Sequence, residues 1–466
     1  MEQKTKNTVH TVSRVVIAGT NSGCGKTTVV CSLLQALKNR GLNIGAFKCG
    51  PDYIDPMFHK RIIGTDSFNL DSFFFDDETL RYLLCRNGEK RDINILEGVM
   101  GFYDGIGFDT SAGSTCEIAQ ITDSPVVLVV GARGAAASVL AVIHGFLTYL
   151  PDNHICGVIL NQCTGMTYQL LAEQIQKRFG GNVVPLGYLP AMPGCSLESR
   201  HLGLVTADEV EDLRKKMQKL SEQAEKSLDL DGLLEMAGGA GKISCREPEV
   251  PVKEPVRIAV ARDRAFCFYY EDSLDLLRQM GAEIVPFSPI KDRVLPANIH
   301  GLYLGGGYPE LYADKLEENR SMREAICSAL KQGLPCIAEC GGFMYLTQSL
   351  QLSEDPKDLA QMTGFFPDRS FPTGHLTRFG YITLTAQQDN MLCPEGGSVR
   401  AHEFHYWDVK DPGHGFKAVK PSGKSWQCVH ISDRLYAGFP HFHFYSNPAF
   451  AERFIDACLA LKKEMR

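Results

Sequence analysis

The chain has 466 residues, 44% hydrophobic and 22% charged, with a formal net charge of −7. That length favours two domains over one, and the apolar content is enough to bury a sizeable core. The mild acidity argues against broad electrostatic capture of nucleic acid. Sixteen cysteines are scattered with no CxxC pair and no zinc-type spacing, and Met1 to Ser13 is polar with no apolar signal core. Both features point to reduced thiols in a cytosol rather than a disulfide framework.

In chain order, "RVVIAG" (14–19) reads as a buried strand and "KTTVVCSLLQALKNRG" as a helix closed by Gly41. "NIGAFKCG", "DINILEGV", "SPVVLVVG" and "HICGVILNQ" are further strands, with helices between most of them. This is the pattern of a doubly wound parallel α/β sheet. The apolar stretch 125–147 is broken by Arg133 and two glycines, so strand, loop and helix fit it better than a membrane span. The character changes after about residue 215, and the Gly-, Pro- and charge-rich region 226–255 reads as a linker between domains 1–225 and 256–466. Beyond it a second α/β pattern begins with "RIAVARD" as a strand, "EDSLDLLRQMG" as a helix, and "EIVPFSP", "GLYLGGG" and "PCIAEC" as strands or strand ends.

"AGTNSGCGKTT" (18–28) lies between a strand and a helix, the context a phosphate-binding loop requires. Glycines such as Gly23 and Gly25 let backbone N–H groups crowd around phosphate oxygens. Lys26 can reach the outer phosphates, and the Thr27 hydroxyl, followed by Thr28, can ligate Mg²⁺. Five residues separate Gly19 from Gly25 where the standard motif has four. That spacing resembles the dethiobiotin synthetase branch of P-loop enzymes, which join a carboxylate to an amine using ATP. Partitioning ATPases carry a signature lysine at the position held here by Asn21, which argues against that group.

"KCGPDYIDPMFH" (48–59) and "LEGVMGFYDG" (96–105) follow strands, where carboxylates face the ligand crevice of such a sheet. Glu97 is placed to hold Mg²⁺; Asp52, Asp55 and Asp104 are further candidates. "KCGPDYIDP" together with "EGVMGFYDG" resembles the cobyrinic acid a,c-diamide synthase family, and the match runs through nearly the whole chain. The resemblance implies ATP- and glutamine-dependent amidation of the a and c acetates of a corrin precursor through carboxyl phosphates. It implies nucleotide and Mg²⁺ roles for Lys26, Thr27, Asp52 and Glu97. It also implies substrate-side or phosphoryl-transfer roles for Tyr53, Asp55 and Asp104, and an adenine-holding role for Asn161.

In the second domain, "PCIAECGGFMYL" (335–346) has the form of a nucleophile elbow, with Cys340 on a strand-to-helix turn and glycines beside it for clearance. A helix N-terminus favours thiolate. "GLYLGGGYPE" offers backbone N–H groups for an oxyanion, so Gly306, Gly307 and Gly341 are the candidates. The arrangement resembles the glutaminase domain of class I amidotransferases, whose cysteine attacks the glutamine amide and whose histidine activates the thiol. His441 fits that histidine. Two residues later the usual glutamate is replaced by His443, which leaves open what orients His441 and whether His443 is the base instead. In "RAHEFHYWD" (400–408), Glu403 and His405 would share one strand face, and His402, Glu403 and His405 read as structural or corrin-facing rather than metal ligands.

The expected activity is that of a cytoplasmic ligase using ATP, Mg²⁺ and glutamine on cobyrinic acid; hydrogenobyrinic acid or a nickel sirohydrochlorin would suit the same chemistry. Small molecules are the expected partners, without nucleic acid or membrane, and a homodimer is compatible with the reading. A nucleotide-switched, non-enzymatic binding protein is the competing class; Asn21 and the intact Cys340/His441 pair count against it.

Overall fold

A computed structural model describes residues 7–195 and 207–465. Residues 1–6 of the polar N-terminal stretch, and 196–206 of the expected first domain, lie outside the described residues. The chain divides into two compact units, Met1–Pro248 and Glu249–Arg466.

In the first unit, seven strands form one wholly parallel sheet, ordered Ser67–Leu70, Ile44–Cys49, Ile93–Glu97, Arg14–Gly19, Val126–Gly131, Ile155–Asn161, Val184–Leu189. The chain starts mid-sheet, builds outward one way, returns to Ile93–Glu97 and then builds the other way, as expected for a doubly wound sheet. Every residue of Arg14–Gly19, Ile44–Cys49 and Ile93–Glu97 is buried, which explains their near-continuous apolar runs. The two edge strands escaped the sequence reading. Ser67–Leu70 is short and half polar, and Val184–Leu189 carries Pro185 and Gly187, residues that strands tolerate at an edge. Helix Lys26–Asn39 buries Val29, Val30, Leu33, Leu34 and Leu37 along one stripe and ends before Gly41, whose φ is +82°. Residues 126–131 are a strand and Ser138–Tyr149 a helix; no helix among the described residues is long and apolar enough to cross a membrane.

The expected linker 226–255 is mostly not one. Leu228, Leu230, Leu233 and Ala237 join the core of the first unit through helix Leu230–Gly238. Ile243–Cys245 pairs antiparallel with Thr8–His10. The fully buried Arg14 guanidinium donates to the carbonyls of Val12, Thr122, Asp123 and Gly241, which ties this region to the sheet. The apolar spacing at 230, 233 and 237 is helical, but the following Gly-Gly-Ala-Gly run obscures it in the sequence.

The second unit is built on a six-stranded sheet ordered Ala282–Phe287, Val256–Ala261, Gly301–Leu304, Cys336–Glu339, Leu435–Gly438, His430–Ser432; only the last strand is antiparallel. A second sheet of five antiparallel strands runs Ser425–Cys428, Phe416–Val419, Arg378–Ala386, Ser398–His405, His441–Phe442. The chain leaves the first sheet at Gly438 and enters the second at His441. That crossing brings a histidine to the carboxyl end of the strand that precedes Cys340.

Candidate active site

The phosphate loop leaves the central strand at Gly19. Gly23 and Gly25 take φ of +84° and +86°, the left-handed region where a side chain would be strained. Gly25 has a second constraint: an added Cβ would lie 1.9 Å from Asn161 Nδ2. That amide nitrogen donates to the Cys24 carbonyl at 2.8 Å, so Asn161 props the loop from beneath. The Asn161 side chain is buried against the loop backbone. Thr28 is half-buried on the first turn of the helix.

Register places Lys48 directly beside Glu97 across neighbouring strands. Glu97 is fully buried; its Oε1 accepts from Thr27 Oγ1 at 2.8 Å and lies 3.1 Å from Lys48 Nζ. Its Oε2 is buried without a hydrogen-bond partner, 3.5 Å from His59 Nε2. Burial holds His59 below its ordinary value, against the pull of Glu97 and Asp55. Lys48 also pairs with Asp55 at 2.5 Å. Burial opposes charge on Lys48, yet Asp55, Glu97 and Asp52 together hold it well above its ordinary value. Burial likewise opposes charge on Asp55, and Lys48 overcomes it, keeping that carboxyl below its ordinary value. Asp52 goes the other way: burial, then the neighbouring Asp55, push it up to about 7. Its Oδ1 accepts from the Ile54 amide at 2.8 Å, opening the short helix Ile54–Phe58. Asn69 Nδ2 bridges the Gly50 and Asp52 carbonyls at 2.9 and 2.8 Å and so fixes this turn. Tyr53 is buried at the start of the same helix.

Lys26 is buried too, and burial followed by the Lys48 charge lowers its pKa. Its ammonium donates to the Met100 carbonyl at 3.2 Å. Asp104 is exposed, and its Oδ2 accepts from the Gly101 amide at 2.8 Å, closing the turn of "GFYDG". Thus Thr27, Asp52, Asp55 and Glu97 gather around Lys48, whereas Asp104 is engaged in a local turn. The sequence reading missed Lys48, His59 and Asn69. A lysine at the end of a fully buried strand was the available signal, since such a charge needs partners.

In the second unit, Cys340 sits after strand Cys336–Glu339 at φ +48°, ψ −105°, a backbone conformation a non-glycine residue adopts only when its surroundings impose it. The elbow is held by the Cys340 amide donating to the Gly438 carbonyl at 2.8 Å. The glycines beside it do provide clearance: a Cβ on Gly342 would lie 2.1 Å from the Leu304 carbonyl oxygen, and one on Gly341 2.9 Å from Pro309. Gly306, Gly307 and Gly341 come together here. A Cβ on Gly306 would lie 2.4 Å from His441 Cε1, and one on Gly341 3.1 Å from the Gly307 amide.

His441 is buried beside Gly306, and the Cys340 side chain acts on its charge. Its Nδ1 lies 3.6 Å from Glu339 Oε2, which leaves Nε2 for the sulfur. Burial penalises the imidazolium, but Cys340 and Glu339 outweigh it and raise His441 to about 10. Glu339 also takes a hydrogen bond from Tyr303 at 3.3 Å and one from the Phe442 amide at 3.4 Å. Glu339, next to Cys340 in the chain, thus puts a carboxylate against His441 where the sequence left that partner open. His443 does not share the face of His441. It lies beside Tyr270, ring centroids 4.8 Å apart, with Nδ1 accepting from the Tyr445 amide at 3.2 Å, and burial lowers it to about 3. The two histidines have separate neighbours, and the strand that carries His441 ends at Phe442.

His402 is the cross-strand neighbour of His441 and stacks on it, centroids 5.1 Å apart. Burial and then the His441 charge hold it well below its ordinary value. Glu403 and His405 do share an inward face, with Oε2 and Nε2 3.8 Å apart.

Comparison with known proteins gives two family models. Residues 15–204 match the CobQ/CobB/MinD/ParA nucleotide binding domain, and residues 257–449 the CobB/CobQ-like glutamine amidotransferase domain. Proteins named cobyrinate a,c-diamide synthase from Listeria monocytogenes serotype 4b (strain F2365) and Caldanaerobacter subterraneus subsp. tengcongensis are 39% and 40% identical, covering 94% and 95% of this chain and 97% and 98% of theirs. The one from Priestia megaterium is 37% identical over 97% of this chain and 98% of its own. The chain belongs to the cobyrinate a,c-diamide synthase family, glutamine-dependent amidotransferase ligases of cobalamin biosynthesis.

Proposed function

We propose that this chain amidates the a and c acetate carboxylates of cobyrinic acid in two linked chemistries. In the second unit, the Cys340 sulfur attacks the glutamine side-chain carbonyl carbon while the oxyanion faces the Gly306–Gly307–Gly341 backbone. The C–N bond then breaks, His441 delivers its proton to the departing nitrogen, and ammonia leaves. Water hydrolyses the thioester to glutamate. Glu339 orients the imidazole and stabilises its charged form.

In the first unit, a substrate carboxylate oxygen takes the γ-phosphoryl group of ATP and ADP leaves. Ammonia adds to the acyl carbon and phosphate departs, leaving the amide. Lys26 and the loop amides position the phosphates. Glu97, whose Oε1 accepts from the Thr27 hydroxyl and whose Oε2 has no hydrogen-bond partner, offers the oxygen donors a hard divalent cation uses. Thr27, Glu97 and Asp52 would hold Mg²⁺, which supplies positive charge against phosphate oxygens. Asp55 and Tyr53 line the substrate side, Asp104 shapes the adjoining loop, and Asn161 braces the phosphate loop.

The observation that carries this reading is the strained Cys340 elbow, with His441 and Glu339 behind it, on a chain that also carries a phosphate loop. The test is mass spectrometry of products formed with ATP and glutamine from cobyrinic acid, hydrogenobyrinic acid and nickel sirohydrochlorin. Conversion of cobyrinic acid to its diamide is expected. Preferential amidation of either other macrocycle would reassign the substrate, and amidation of none would sink the proposal.

A further inference from the structure

His10, Cys85 and Cys245 come from three separate elements of the first unit: strand Thr8–His10, helix Asp77–Gly88 and strand Ile243–Cys245. Each offers one ligand atom, and these atoms all lie within 4.8 Å of one another. A tetrahedral zinc site with Zn–S of ~2.3 Å and Zn–N of ~2.0 Å needs donors about 3–4 Å apart, so small rotamer adjustments would close the cluster. Both cysteines are buried free thiols. Glu89 Oε1 lies 2.9 Å from His10 Nδ1, yet that nitrogen is buried without a well-aligned hydrogen bond. Glu89 is half exposed and His10 partly so, which gives an ion a path inward.

We propose that His10, Cys85 and Cys245 form a structural zinc site, with the Glu89 carboxylate as fourth ligand or as the partner that orients the histidine. The donor set suits zinc: two thiolates and an imidazole select a borderline-soft ion over Mg²⁺. Binding converts two thiols to thiolates and releases their protons to solvent. The location gives the ion a role. Two three-residue strands paired only with each other are marginal alone. Zinc would pin them, and with them the end of this unit, to the helix that leads into the Glu97 strand.

The test uses the full-length chain without a histidine tag, reduced and loaded with cobalt(II), then with zinc. One thiolate-bound ion per chain is expected, with thiolate-to-cobalt charge transfer and the d–d bands of a four-coordinate ion. Zinc should raise the melting temperature of the wild type. Cys85→Ser and Cys245→Ser should each lose charge-transfer intensity and the thermal shift. Glu89→Gln should weaken binding roughly 10–100-fold. Cys156→Ser, outside the cluster, should change nothing. Folded wild type with no such bands, or bands that persist in Cys85→Ser, would overturn the site. So would a Cys85–Cys245 disulfide in protein purified without reductant that still forms in the presence of zinc.

Discussion

Both sites sit at the carboxyl ends of parallel sheets, yet they prepare for chemistry in opposite ways. In the first unit Lys26, Lys48, Asp55 and Glu97 are buried, Asp52 is half-buried close by, and Lys48 pairs with both Asp55 and Glu97. In the second, preparation lies in backbone geometry: a strained cysteine, crowded glycines and one histidine held between a sulfur and a carboxylate. Phosphoryl transfer needs charge fixed in advance, because there is little covalent chemistry for the protein to do. Thiol attack needs an aimed nucleophile and a base of the right protonation state.

The largest test of that contrast is to disable each site alone. Cys340→Ala should lower glutamine-dependent synthesis by about 10⁴-fold or more, as loss of a covalent nucleophile does, and leave ammonia-driven synthesis intact. Lys26→Ala should abolish both; ammonia-driven turnover surviving in it would show the loop is not the nucleotide site. Next, His441→Ala should cost glutaminase activity roughly 10²–10⁴-fold, within the range of general acid–base catalysis, and more than His443→Ala does. A larger loss in the second would make His443 the base.

Glu339→Gln is a subtler probe. With Glu339 gone, the support that helps raise His441 to about 10 is weakened. The alkaline side of the glutaminase pH profile should move to lower pH, with kcat reduced about 10-fold or more while the affinity for glutamine holds. An unmoved profile would make Glu339 a packing residue.

The smallest effect concerns stability. His443 is held at about 3 by burial, so the unfolded chain binds the extra proton first as pH falls. Its contribution is full above the unfolded value of ~6.5 and is lost progressively down to about 3. His443→Gln should flatten that part of the acid denaturation curve. An unchanged slope would mean the histidine is not buried neutral.

What the sequence made legible was contiguous. The phosphate loop, the Cys340 elbow and most strands of the two parallel sheets could be read from spacing and apolar runs. What it hid depended on register and crossing. Lys48 meets Glu97 only because their strands are neighbours, and Glu339 becomes the partner of His441 only because the chain changes sheets between Gly438 and His441. The antiparallel sheet was missed because pairing, not local pattern, defines it. The same limit applies to His10, Cys85 and Cys245, which no local motif connects.

The Lys26 hydrogen bond to the Met100 carbonyl has a consequence for timing. The ammonium is held on the loop that begins at Gly98, where Met100 itself adopts φ +48°. A phosphate that drew on Lys26 would compete with that carbonyl for the same ammonium, so one side chain joins the phosphate loop to a loop belonging to a different strand. Amide exchange at residues 98–105 should quicken on adding ATP if that competition takes place, and unchanged exchange would mean Lys26 keeps its hold on Met100.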